Sequence, residues 1–221
     1  MRQAAFFDID GTLVDCQTQE VLSKILREEK LLSQFEAARI FGWFLAYKLG
    51  LVRSSVQLRA RCYQTLSLRP KPEIDRIFSQ ASEEIRTKYL RPWMKRRVDR
   101  HKAKDELVFA LTGSLSSLTE PIGREFQIEW CFSTQLSVAD GRYTGAWEGE
   151  ILEGENKVKI MKELAQKYGI DLNRSAAYAD SFSDLPMLKA VGCPIAISPD
   201  RRLKRYALKR HWEILEARAC V

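Results

Sequence analysis

The 221-residue chain contains no C-x-x-C pair, and its five cysteines, at positions 16, 62, 131, 193 and 220, are odd in number. This spacing excludes a zinc ribbon and disfavours a disulfide framework, so reduced thiols in a cytoplasm are expected. An uninterrupted apolar run of the ~18 to 20 residues that cross a bilayer is also missing. The nearest approach, residues 40–52, is broken by Lys48. No apolar leader precedes Asp8, so export is not expected. Nor does any nucleic-acid motif accompany the basic residues, which gather from Lys95-Arg96-Arg97 to Lys104, in Arg201-Arg202-Leu203-Lys204-Arg205 and in Lys209-Arg210. Such runs read as solvated helix faces, and nucleic acid is not expected as a partner. What remains is a composition of 45% hydrophobic and 29% charged residues, that of a soluble globular protein with one large core, or a core and a small inserted domain. The formal net charge of +7 favours a partner that carries phosphates or an anionic surface.

The chain is organised around Phe6-Phe7-Asp8-Ile9-Asp10-Gly11-Thr12, where an apolar run meets two carboxylates and a glycine turn. An extended chain returns to one face every second residue, so Asp8 and Asp10 would stand side by side at the carboxyl end of a buried strand. Two like charges so placed call for a cation. A hard divalent ion with oxygen ligands, Mg²⁺ above all, is the simplest answer, with phosphate as the third party.

From residue 16 to about residue 90 the pattern is helical, with Val21, Leu22, Ile25 and Leu26 on one stripe and Leu58, Cys62 and Leu66 on another. A helical insert directly after such a strand reads as a lid that excludes water. Two readings of residues 40–52 stay open: a helix buried in the lid core, or an apolar wall for a lipid-like substrate that touches an anionic membrane peripherally. Beyond Pro92 the pattern predicts strands over 106–114, 127–133, 176–180 and 193–197. Helices are predicted over 115–125, 155–168 and 183–190, and the Asp140-Gly141 pair marks a β-hairpin beside the sheet. Strands alternating with helices give an α/β fold with a parallel sheet covered on both faces, which binds ligands at the strand carboxyl ends. Asp8, Asp10, Thr112, Gly113, Asp180 and Asp184 fall there, and Lys157 opens a helix. Singly each has a plain structural use, since Thr112 or Ser114 can cap a helix and Lys157 or Asp184 can sit solvated in a first turn. Together they supply the roles of a phosphoryl-transfer site.

The order D-I-D-G-T-L-V, L-T-G-S, G-E-N-K and Y-A-D-S-F-S-D-L-P resembles the four motifs of the haloacid-dehalogenase-like phosphatases. The insert after the first motif, Asp-Gly-Arg-Tyr-Thr-Gly and the stretch from Val191 to Asp200 are similar to the subfamily that contains phosphoserine phosphatases. That resemblance implies a Rossmann-like core over residues 1–15 and 91–221 and a helical cap over 16–90. It further implies a phosphomonoester phosphatase with Asp8 as nucleophile, Asp10 as acid and base, and Mg²⁺ held by Asp8, the Asp10 carbonyl, Asp180 and Asp184. Thr112, Gly113 and Lys157, with Lys159 as a nearby alternative, would gather the phosphoryl oxygens. For the substrate's remainder it implies Gln17, where the subfamily has a glutamate that meets an ammonium, and Arg61, with Arg59 as the alternative. A small phosphoserine-like ester is the expected substrate. A phospholipid head group, of lysophosphatidate or phosphatidylglycerophosphate type, is a second reading, and a regulatory protein with vestigial turnover a third.

Overall fold

The computed structural model describes residues 1–36, 38, 39, 42 and 56–216, the side chains of 56–58 and 61 excepted. Its centre is a six-stranded parallel sheet. Strands β1 (Ala4–Phe7), β2 (Leu107–Leu115), β3 (Trp130–Thr134), β6 (Ala176–Ala179), β7 (Cys193–Ile197) and β8 (Glu213–Leu215) lie in the order β3-β2-β1-β6-β7-β8. β1 is short and wholly buried, as a central parallel strand covered on both faces must be. Its alternation divides the core. Ala5 and Phe7 face one apolar cluster with Tyr178, Ile195 and Ile197, whereas Ala4 and Phe6 face another with Phe109, Leu111, Ala177 and Ala196.

The first face is covered by α4 (Pro92–Ala103) and α5 (Ser116–Glu125), through Met94, Val98, Leu118 and Ile122; α3 (Lys71–Lys88) packs on α5 and α1 (Thr18–Glu28) on α3, and Ile74 and Ile25 extend the same apolar cluster. The second is covered by α6 (Glu155–Tyr168), α7 (Leu185–Lys189) and α8 (Arg201–Lys209), through Met161, Leu164, Met187, Leu188 and Leu203. α1 buries Val21, Leu22, Ile25 and Leu26, the stripe that its spacing predicts. The predicted third strand starts later than expected, at Trp130, because Gln127 takes a positive φ of 55° in the turn after α5. The short strand β8 has no clear sequence signal.

The helical insert leaves and rejoins the sheet at one place. Asp15 N donates to Tyr89 O at 2.7 Å and Arg91 N to Leu13 O at 3.0 Å, so the outgoing and returning chains pair antiparallel. The insert contributes α1, α2 (Val56–Gln64) and α3; residues 40–52, Gly42 excepted, lie outside the described residues, and with them both readings of that stretch. Strands β4 (Leu136–Ala139) and β5 (Arg142–Trp147) form the hairpin, with positive φ at Asp140 and Gly141 in its turn. It lies beside the sheet, as its turn signal predicts, and is bonded to the insert. Lys71 N donates to Gly141 O and Leu68 N to Tyr143 O, both at 2.8 Å, while Tyr143 OH reaches Asp75 at 2.6 Å. None of the described helices is long and apolar enough to cross a membrane.

Candidate active site

Asp8 and Asp10 sit just past β1, where Asp8 N donates to Tyr178 O at 2.9 Å and carries the pairing with β6 one residue further. The chain then folds back tightly, with Thr12 N and Leu13 N both donating to Ile9 O. The two carboxylates reach the same pocket with different partners. Asp8 Oδ1 lies 2.7 Å from Lys157 Nζ, and that ammonium lies 2.6 Å from Asp184 Oδ1. Asp10 Oδ1 accepts from Thr18 N, in the first turn of α1, at 2.6 Å, while its Oδ2 accepts from Ser114 Oγ at 2.5 Å and from Thr112 Oγ1 at 3.4 Å. A helix start and a strand end therefore fix Asp10 from two sides.

Asp8, Asp180 and Asp184 bring one carboxylate oxygen each to within 4.8 Å of one another. Burial drives the Asp8 carboxyl up to about 7, with the Asp184 and Asp10 charges adding to the rise and Lys157 opposing it. Asp180 is likewise raised well above the usual carboxylate range, by burial first and then by Asp8, Asp184 and Asp10. For Lys157 burial works against the charged form, yet Asp184 and Asp8 outweigh it and hold the ammonium protonated. Three carboxylates, Asp8, Asp180 and Asp184, beside one buried ammonium leave the floor short of positive charge. A clustered, all-oxygen donor set of this kind fits Mg²⁺. The Asp10 carboxylate is not among the clustered oxygens; its hydrogen bonds turn it toward β2.

Every expected site residue whose side chain is described lines one cavity of about 640 Å³: Asp8, Asp10, Gln17, Thr112, Gly113, Lys157, Asp180 and Asp184. Between the two lysines the geometry selects Lys157, since Lys159 is exposed and pairs with Glu150. Arg59 lines the wall and donates to Gly113 O at 2.8 Å and Ser114 Oγ at 3.2 Å. The side chain of Arg61 lies outside the described residues. Ser114, grouped with Thr112 and Gly113 at the end of β2, bonds Asp10. Phe182 and Arg202, which the sequence reading gives no role in the site, also line the cavity, Arg202 coming from a run read as a solvated basic face.

Fold and site together define an α/β protein with a capped, acidic pocket at the carboxyl ends of its central strands. The chain belongs to the haloacid dehalogenase-like hydrolase family, whose model matches residues 5–189. It is 29% identical to phosphoserine phosphatase SerB1 of Mycobacterium tuberculosis over 97% of this chain and 71% of that protein. It is 24% identical to a histidinol-phosphatase of Neisseria meningitidis, over 97% of this chain and 99% of the other. A crystal structure of a protein of unknown function from Bordetella pertussis superposes with a TM-score of 0.84 at 27% identity, covering 97% of this chain and 98% of that one.

Proposed function

We propose that this protein is a Mg²⁺-dependent phosphomonoester phosphatase that works through an aspartyl-phosphate on a small phosphorylated metabolite. The observation that carries the reading is the contact of Lys157 with both Asp8 and Asp184, beside Asp180. An Asp8 oxygen attacks phosphorus in line as the bond to the leaving oxygen breaks, and Asp10 delivers a proton to that alkoxide. Asp10 then takes a proton from water as the water oxygen attacks the phosphorus of the acyl phosphate, which releases inorganic phosphate and restores Asp8. Thr112, the Gly113 amide and Lys157 gather the phosphoryl oxygens, which bear the negative charge throughout. Mg²⁺, held by Asp8, Asp180, Asp184 and the Asp10 carbonyl, would supply the missing positive charge at the floor.

Residues 16–90 act as a cap over a core formed by 1–15 and 91–221, and its approach through Gln17 and Arg59 excludes water from the acyl phosphate. Relatives named for phosphoserine and for histidinol phosphate support a small polar ester, and the unpaired cysteines among the described residues suit a reducing cytoplasm. Gln17 has no charge with which to hold a substrate ammonium. Asp8→Asn removes the nucleophile, so phosphate release from p-nitrophenyl phosphate with Mg²⁺ should fall at least about a thousandfold with the melting temperature retained. Turnover surviving in that variant would remove the mechanism.

A further inference from the structure

The floor of the cavity is committed to the phosphoryl group, and at about 640 Å³ the space extends well beyond it. Among the described residues three cations line that space. Lys157 is held by Asp8 and Asp184, and Arg59 is turned to Gly113 O and Ser114 Oγ within the field of Asp10 and Glu153. Arg202 is placed otherwise. Its guanidinium lies 4.2 Å from the centroid of the Phe182 ring, and among the described residues no carboxylate comes within ion-pair distance of it.

The adjacent acid, Asp200, makes no side-chain ion pair with Arg202. Asp200 Oδ1 accepts from Arg202 N and Leu203 N, both at 2.8 Å, and its Oδ2 from Phe182 N at 2.6 Å. Asp200 thus spends its lone pairs on the backbone that shapes this wall. Asp200 N donates to Asp180 O at 2.8 Å, so the turn carrying Arg202 hangs on the strand end that carries the acidic cluster. The contact with the Phe182 ring restrains this exposed guanidinium and leaves its N–H groups for a planar or tetrahedral anion.

We propose that Arg202 is the specificity-determining residue of this pocket and holds a second anionic group, a carboxylate or a further phosphate, on the leaving group of the substrate. The assignment rests on the phosphatase reading and adds to it the chemical class of ester. Initial rates with Mg²⁺ on 3-phosphoglycerate, 1,3-propanediol bisphosphate and glycerol 3-phosphate separate the carboxylate, phosphate and neutral cases. The readout is the ratio of kcat/KM for each doubly anionic ester to that for glycerol 3-phosphate. Loss of a charged hydrogen bond corresponds to about a tenfold or larger drop in at least one ratio in Arg202→Gln, with partial recovery in Arg202→Lys. Ratios that move less than about twofold would overturn the assignment, as would a wild-type ratio below one for both anions. Should the wild type release phosphate from none of the three, nor from p-nitrophenyl phosphate, the phosphatase reading fails on its own. Calorimetric titration of wild type and Arg202→Gln with the same compounds then decides: tighter wild-type binding confined to the doubly anionic ones supports Arg202, and equal binding overturns it.

Discussion

A Cβ at position 11 would stand 2.0 Å from Asp180 Oδ2, and the backbone there has φ of +69°, so glycine is required twice over. The left-handed backbone alone costs another residue ~1 to 2 kcal/mol, and the side chain must also push Asp180 away from Asp8 and Asp184. Gly11→Ala is therefore expected to lower the melting temperature and to raise the Mg²⁺ concentration needed for half-maximal phosphate release. An unchanged Mg²⁺ requirement would separate Asp180 from the metal. The Asp-x-Asp-Gly signature was legible as chemistry from the sequence. That its glycine makes room for an acid 169 positions away, at Asp180, needed the fold.

Among the elements, the two crossings between insert and sheet are where the chain itself passes from core to cap and back. Arg91 is buried there, and donates to the exposed Asp15 at 2.5 Å and to Ser198 Oγ, in the loop after β7, at 3.1 Å. Arg91→Met keeps most of the volume and removes both bonds. Urea unfolding should report a loss of about 1 to 3 kcal/mol, the usual worth of hydrogen bonds from a charged donor, and no loss would show the crossing to be held by its backbone pairs alone. The helices of the insert were readable because amphipathic spacing is a local property. The attachment of the hairpin to that insert was not. Its turn residues fix only how β4 meets β5, whereas its place depends on backbone groups at Leu68, Arg69 and Lys71 with which the sequence gives no hint of pairing.

For the whole molecule, the acidic floor ties stability to metal and to pH. Asp8 titrates near 7 in the folded protein against a usual value of 3.8, a rise caused chiefly by burial. Between those values the unfolded chain gives up this proton first, so raising the pH through that range favours unfolding. The stability of metal-free protein should accordingly be fullest near pH 4 and decline toward pH 7. A cation bound to the folded state reverses the penalty, and above the folded pKa it displaces no proton. Thermal melts with EDTA or excess Mg²⁺ at pH 5.5 and pH 8 test this: the gain in melting temperature from Mg²⁺ should be larger at pH 8. Equal gains at both would show that the metal does not bind through these carboxylates.

By itself the sequence determined the alternation of strand and helix, the insert after β1, and the residues that carry charge and hydroxyls at the strand ends, since periodicity and turn chemistry act over a few residues. Only tertiary structure decided which of those groups meet. Lys157 contacts Asp8 across 149 positions and Ser114 contacts Asp10 across 104, and the choices of Lys157 over Lys159 and of Arg59 and Arg202 as pocket walls follow from the same packing. The physical reason is that a side chain's partner is set by how whole elements lie against the sheet, and sheet order is fixed by burial of the core rather than by residues near the site.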